Sequence, residues 1–146
     1  MKTKKKKKIQ VGWREWVGFP KLGVDRIKAK LDTGARTSSI HAFRIRKMDD
    51  TDEPRIEFYL HPVQHKRHPE YRCTAQVVDE RTVKSSNGES ETRYVIITPM
   101  RMGTHIWPVE LTLSNRDQMG FRMLVGRSAI RGRCIVDPGS SFLLGR

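Results

Sequence analysis

A chain of 146 residues, 36% hydrophobic and 31% charged, is long enough for one core and short for two. Its 29 Lys plus Arg against 16 Asp plus Glu leave a formal net charge of +13. That excess favours polyanionic partners (nucleic acid, an anionic membrane surface, an acidic peptide) and works against basic ones. No stretch reads as a secretory signal or a membrane span, so the expectation is a cytoplasmic protein with no membrane partner, in which Cys73 and Cys134 stay free thiols.

In chain order, Lys4 to Lys8 come first and read as part of a disordered basic tail over residues 1–8, ahead of one domain over 9–146. These lysines are either plain solvated charge or an electrostatic arm toward RNA or the ribosome. From there the apolar period is mostly two, the spacing of strands. In "DRIKAKLD", Ile27, Ala29 and Leu31 face one way while Arg26, Lys28 and Lys30 face the other. This strand runs into "LDTGARTSSIHA", where Asp32, Thr33 and Gly34 are followed by a small residue and hydroxyls. Alone, Asp-Thr-Gly is an ordinary turn sequence. Gly34, however, permits close approach of the backbone to another group. His41 reads as structural or exposed.

Short runs around Phe43 to Ile45, Ala75 to Val78 and Tyr94 to Ile97 read as further strands, as do "RIEFYLH", through Ile56, Phe58 and Leu60, and "WPVELTLS", through Trp107, Val109, Leu111 and Leu113. Between them, "HPVQHKRHPEYRC" spaces His61, His65, His68 and Cys73 loosely like a zinc site. Lys66, Arg67 and Arg72 surround it with positive charge, and an exposed basic loop is the favoured reading. In "VKSSNGESETRYVII", Asn87-Gly88 suits the positive φ angles of a type I′ hairpin turn. With Ser85, Ser86, Glu89, Ser90 and Glu91 around it there is little to bury, so the hairpin projects, either as a plain barrel edge or as a flap over a cleft. Last comes "MLVGRSAIRGRCIV", an apolar strand entering Gly126, Arg127 and a helical turn that Gly132 ends. Trp13, Trp16 and Trp107 sit among apolar or alternating neighbours and read as core or dimer contacts rather than stacking platforms for bases. Many short strands with one helical turn predict an all-β fold closed into a small barrel.

The order of these parts (D-T-G-A loop, projecting hairpin, apolar strand with Gly-Arg, short C-terminal helix) resembles a retropepsin-like aspartic protease over about residues 22 to 137. The resemblance implies a closed acid-protease barrel with a flap hairpin, Asp32 as catalytic acid/base, Thr33 bracing the loop through its hydroxyl, and Gly34 offering a carbonyl to bound peptide. It also implies that Ala35, Arg36, Asn87, Gly88 and Arg127 border the substrate. Such enzymes hold two carboxylates about 3 Å apart around one shared proton, one activating water and the other polarising the scissile carbonyl. One chain supplies one Asp-Thr-Gly, so the second would come from the partner of a homodimer. Where retroviral members carry an acid after D-T-G-A, this chain carries Arg36, which with the net charge points to an acidic peptide.

"KLDTGARTSSIHA" and "MLVGRSAIRGRCIVDP" are most similar to a bacterial branch often labelled ATP-dependent zinc proteases, some associated with an ATP-dependent glutamate ligase that modifies a ribosomal protein. That resemblance implies trimming of glutamate tails from a ribosomal protein, with the ribosome or the ligase as associates. The branch's zinc and ATP labels have no counterpart in the residues. There is no H-E-x-x-H and no G-x-x-x-x-G-K-[ST], and the expectation is no metal and no cofactor. Two other readings stay open: a non-catalytic basic β-barrel binding ribosomal RNA or a ribosomal protein, and a zinc hydrolase built on the histidine-rich loop.

Overall fold

In the computed structural model, residues 7–49, 51–63, 66–84, 88–115 and 120–145 are described, together with the backbone alone at 83 and 84. The first six residues, with most of the lysine run, and His65, Ser85, Ser86 and Asn87 lie outside them. The strands are β1 (Ile9–Gly12), β2 (Arg14–Phe19), β3 (Val24–Leu31), β4 (Ser38–His41), β5 (Phe43–Lys47), β6 (Arg55–Leu60), β7 (Tyr71–Gln76), β8 (Asp79–Lys84), β9 (Ser90–Met102), β10 (His105–Ser114), β11 (Met123–Val125) and β12 (Cys134–Asp137). One short helix, α1 (Arg127–Ile130), lies between the last two, and Gly132 follows it at φ +76°.

The main sheet runs β10-β4-β11-β3-β2-β9-β8, and β10 also pairs with β9. Six strands therefore close into a ring, with β8 attached outside it. Closure leaves no free edge within the ring. Two seams of the ring are parallel, β4 with β10 and β3 with β11, and each joins segments far apart in sequence. A separate antiparallel sheet, β5-β6-β7, and a parallel ribbon of β1 and β12 complete the fold.

The alternation that predicted β3 is the one observed: Ile27, Ala29 and Leu31 are 2%, 0% and 5% exposed, and Trp107, Val109, Leu111 and Leu113 of β10 line the same interior. Ile56, Phe58 and Leu60 fill the core beneath β6. One region differs from expectation. Ala75 to Val78 is not one strand: β7 stops at Gln76, and Val77 and Val78 form the link to β8, their N–H groups donating to Pro54 and Val95 carbonyls. β1 and β2 carry no clear alternation, because Val17, Gly18 and Phe19 are buried in succession.

Two buried acids organise the periphery. Glu15 is fully buried, and its carboxylate accepts the N–H groups of Gly12 (2.7 Å), Leu143 (2.8 Å) and Leu144 (3.1 Å). This draws the C-terminal segment onto β2, where Phe142 stacks on Trp16. Glu57 on β6, 4% exposed, lies between Arg46 Nε at 2.9 Å and Arg72 Nε at 2.7 Å. Hydrogen bonds from Arg46, then Arg72, hold its carboxyl below the usual range.

Candidate active site

β3 carries the chain to Asp32 and β11 fixes where it arrives. The two strands pair in parallel as far as Val125 opposite Leu31, and the Asp32 N–H donates to the Val125 carbonyl at 2.8 Å. The loop then turns on itself, with Ala35 N–H to Asp32 O at 3.2 Å and Gly34 N–H to Asp32 Oδ1 at 3.0 Å. A Cβ on Gly34 would stand 3.2 Å from that same Oδ1, so a side chain there would crowd the carboxylate.

The second loop crosses the first. Arg127 and Ser128 N–H groups donate to the carbonyls of Ala35 (2.8 Å) and Arg36 (3.0 Å), and the Gly126 N–H donates to Ser38 Oγ at 3.0 Å. Arg127 Nη1 donates to the Thr33 carbonyl at 3.0 Å. A Cβ on Gly126 would lie 2.6 Å from the Thr37 carbonyl carbon, which only glycine avoids. The predicted residues Asp32, Thr33, Gly34, Ala35, Arg36 and Arg127 thus meet in one place, although Arg127 lies far along the chain.

Thr33 is tied within the chain through its carbonyl, and its exposed hydroxyl makes no hydrogen bond among the described residues. Asp32 is half-buried: Oδ1 is held by Gly34, while Oδ2 has no hydrogen-bond partner among the described residues. That is what a carboxylate needs in order to carry a proton, one oxygen oriented and the other available. Arg36, Arg127 and Arg131, with Thr33, Ser128 and Ile130, border a cavity of about 640 Å³, and none of the three arginines forms an ion pair among the described residues. A smaller cavity of 210 Å³ also borders Ala35 and is lined by hydroxyls and by Arg93, which sequence reasoning did not single out.

β8 and β9 form the projecting hairpin, paired from Asp79–Val95 to Lys84–Ser90. Gly88 is exposed at φ +87°, and Asn87 and the turn type lie outside the described residues. Gly88 makes no hydrogen bond to the Asp32 loop among the described residues.

The described part of the histidine-rich segment is held by other contacts. His61 Nε2 lies 3.1 Å from Glu70 Oε1, and its ring packs on Phe43. Cys73 Sγ donates to the Leu22 carbonyl, and burial pushes its thiol up to about 11, so it holds its proton rather than offering a thiolate. Among the described residues no three His, Cys, Asp or Glu are grouped to hold a metal ion; His65 lies outside them. The donors present do not fit zinc.

A small closed barrel whose Asp-Thr-Gly loop is crossed and clamped by a Gly-Arg loop defines the retropepsin class of acid-protease folds. The chain belongs to the RimB-like family, described as retropepsin-like aspartic endopeptidase RimB, whose model matches residues 10–146. It is 53% identical over 139 residues to a "Probable alpha-L-glutamate ligase" of Shewanella halifaxensis and 47% identical over 139 residues to a protein of the same name from Parasynechococcus marenigrum. Each match covers 95% of this chain, which spans only 30% of the length of these relatives. Among solved structures, a Legionella pneumophila protein of unknown function shares the fold, with a TM-score of 0.75 and 24% identity over 93% of this chain and 98% of that one. No helix among the described residues is long and apolar enough to cross a membrane.

Proposed function

We propose that this chain is an aspartic endopeptidase that acts as a two-fold homodimer on acidic, glutamate-rich peptide, trimming glutamate tails from a ribosomal protein in the cytoplasm. The observation that carries the reading is Asp32, with Oδ1 oriented by Gly34 and Oδ2 free, in a loop clamped from Val125 to Ser128.

In the dimer, the two Asp32 carboxyls face each other across the axis and share one proton, because two such charges cannot both ionise at that distance. The ionised one takes a proton from water as the water oxygen bonds to the scissile carbonyl carbon. The protonated one hydrogen-bonds the carbonyl oxygen. The tetrahedral species collapses as a proton passes to the peptide nitrogen, the C–N bond breaks, and acid and amine leave. Thr33 hydroxyls brace the opposing loops, Gly34 carbonyls align the peptide, and the hairpin bearing Asn87 and Gly88 closes over it. Arg36 and Arg127 attract its carboxylates, since neither has an acidic partner of its own among the described residues. Residues 9–146 form the catalytic unit, and the basic residues 1–8 act as an arm toward the ribosome. Relatives named as glutamate ligases support a link to glutamate chains, either through the ligase itself or through its product. No cofactor enters the scheme, so chelators should leave cleavage unchanged.

The test compares wild type with Asp32→Asn on a glutamate-tailed protein by mass spectrometry, with sedimentation to read the oligomeric state. Loss of shorter products in the variant, with folding and dimerisation unchanged, supports the reading. Undiminished cleavage by the variant sinks it.

A further inference from the structure

The Asp32 loop has a second neighbour besides the arginine-rich cavity. The 210 Å³ pocket that borders Ala35 has Thr37, Ser39 and Ser114 on its wall, Phe121 and Leu124 as apolar surface, and Arg93 reaching in from β9. At about 30 Å³ per water it holds about seven waters, which is room for one side chain and not for a folded segment.

Arg93 is under-used for a residue so enclosed. Its side chain is 21% exposed, and among the described residues its only ion pair is a 3.5 Å contact to Glu91 and its buried Nε has no hydrogen-bond partner. The reason lies across the ladder. Arg93 stands opposite Arg81, which takes the two nearby acids, Asp79 at 3.0 Å and Glu110 at 2.8 Å. Arg122, the other arginine of the pocket, donates through Nη1 to the carbonyls of His61, Val63 and Lys66 and so is committed to the fold. A buried donor left without an acceptor costs about 1–3 kcal/mol, so Arg93 gains if an acceptor enters the pocket beside it.

The geometry points to this pocket as the subsite for a carboxylate side chain flanking the scissile bond, with Arg93 as its specificity residue. The inference rests on the reading of the chain as a peptidase for acidic peptide, and it deepens that reading by assigning where one glutamate is recognised. The apolar wall of Phe121 and Leu124 suits the two methylenes of a glutamate. The hydroxyls of Thr37, Ser39 and Ser114 can donate to its carboxylate, and the Arg93 guanidinium supplies the charge.

The test is binding in a background that does not consume the ligand. Hexaglutamate and hexaglutamine are titrated calorimetrically into Asp32→Asn, Asp32→Asn with Arg93→Gln, and Asp32→Asn with Arg93→Lys, and wild type is assayed for cleavage of hexaglutamate. Arg93→Gln should raise the Kd for hexaglutamate about 10- to 100-fold, leave hexaglutamine and the melting temperature unchanged, and be partly rescued by Arg93→Lys. An unchanged Kd for hexaglutamate, or an equal loss on both peptides, overturns the subsite; cleavage of hexaglutamate by wild type would leave the peptidase reading standing. Arg93-dependent binding without cleavage by wild type upholds the subsite and removes the peptidase reading. Failure of Asp32→Asn to bind hexaglutamate removes the subsite together with the acidic substrate.

Discussion

Two carboxylates, Glu15 and Asp32, end neighbouring stretches of the same barrel, and the chain treats them in opposite ways. Around Glu15, three backbone N–H groups converge on a fully buried side chain, two of them from the C-terminal segment. Around Asp32, one N–H orients one oxygen, and the rest of the hydrogen bonding goes to the backbone of the loop instead of the acid. The difference teaches how to tell an acid that holds a structure from one that is held by it. The first is saturated, and removing it strips partners from others. The second is positioned but unsaturated, so removing it should leave the frame intact.

The sharpest way to break this contrast is to exchange the expected losses. Asp32→Asn should lower cleavage by at least about 10³-fold while shifting urea-derived stability by less than about 1 kcal/mol. Glu15→Ala should do the reverse, costing about 3–5 kcal/mol as one buried and two part-buried N–H donors lose their acceptor, with cleavage per folded molecule retained. A stable Glu15→Ala protein would erase the distinction. Next in size is Gly126→Ala, where the added methyl meets the Thr37 carbonyl. It should cost about 1–3 kcal/mol in urea melts and weaken cleavage further by displacing the Asp32 loop.

The smallest effect belongs to Glu57, an acid of intermediate kind, nearly buried yet served by the exposed arginines 46 and 72. Its carboxyl is held below the ordinary glutamate value of 4.5 by hydrogen bonds from Arg46 and Arg72, so the folded state favours the charged form. The stability it contributes is therefore present above that value and is lost as pH falls through the lowered pKa. Paired melts should find Glu57→Gln less stable than wild type at pH 7, with the gap closing as the pH is taken well below 4.5. A gap that persists in strong acid would mean that packing, not charge, is what the glutamate supplies.

Much of the fold was legible because its strands alternate over a single core: β3 and β10 of the barrel, and β6 of the separate sheet, announce their buried apolar residues. The two loops were legible through the motifs that carry the resemblance, Asp-Thr-Gly and Gly-Arg, but only Gly34 crowds a near neighbour; the atoms that leave Gly126 no room for Cβ belong to Thr37 and Ala35, far back along the chain. β1 and β2 were not, because buried glycines interrupt their alternation, and β1 pairs only with the distant β12 while β2 adds the distant β9 to its neighbour β3. Val77 and Val78 look like strand residues yet bridge two strands, their apolar character serving the link. Glu15 gives no local sign at all: two of its three donors are 128 and 129 residues away. Arg93 was hidden for a related reason. What makes it notable is that Arg81 has taken its acids, a fact of strand register and not of sequence.

The bonds that fix the outer side of the Asp32 loop come from Val125 through Ser128. A ribosome making this chain delivers the aspartate first and those residues roughly 90 positions later, about 5–20 s at ordinary elongation rates. The parallel seams that close the barrel wait for the same late segments. An unfinished copy therefore carries Asp32 without its frame, and the acid is set in place only once residues 125 to 128 have emerged.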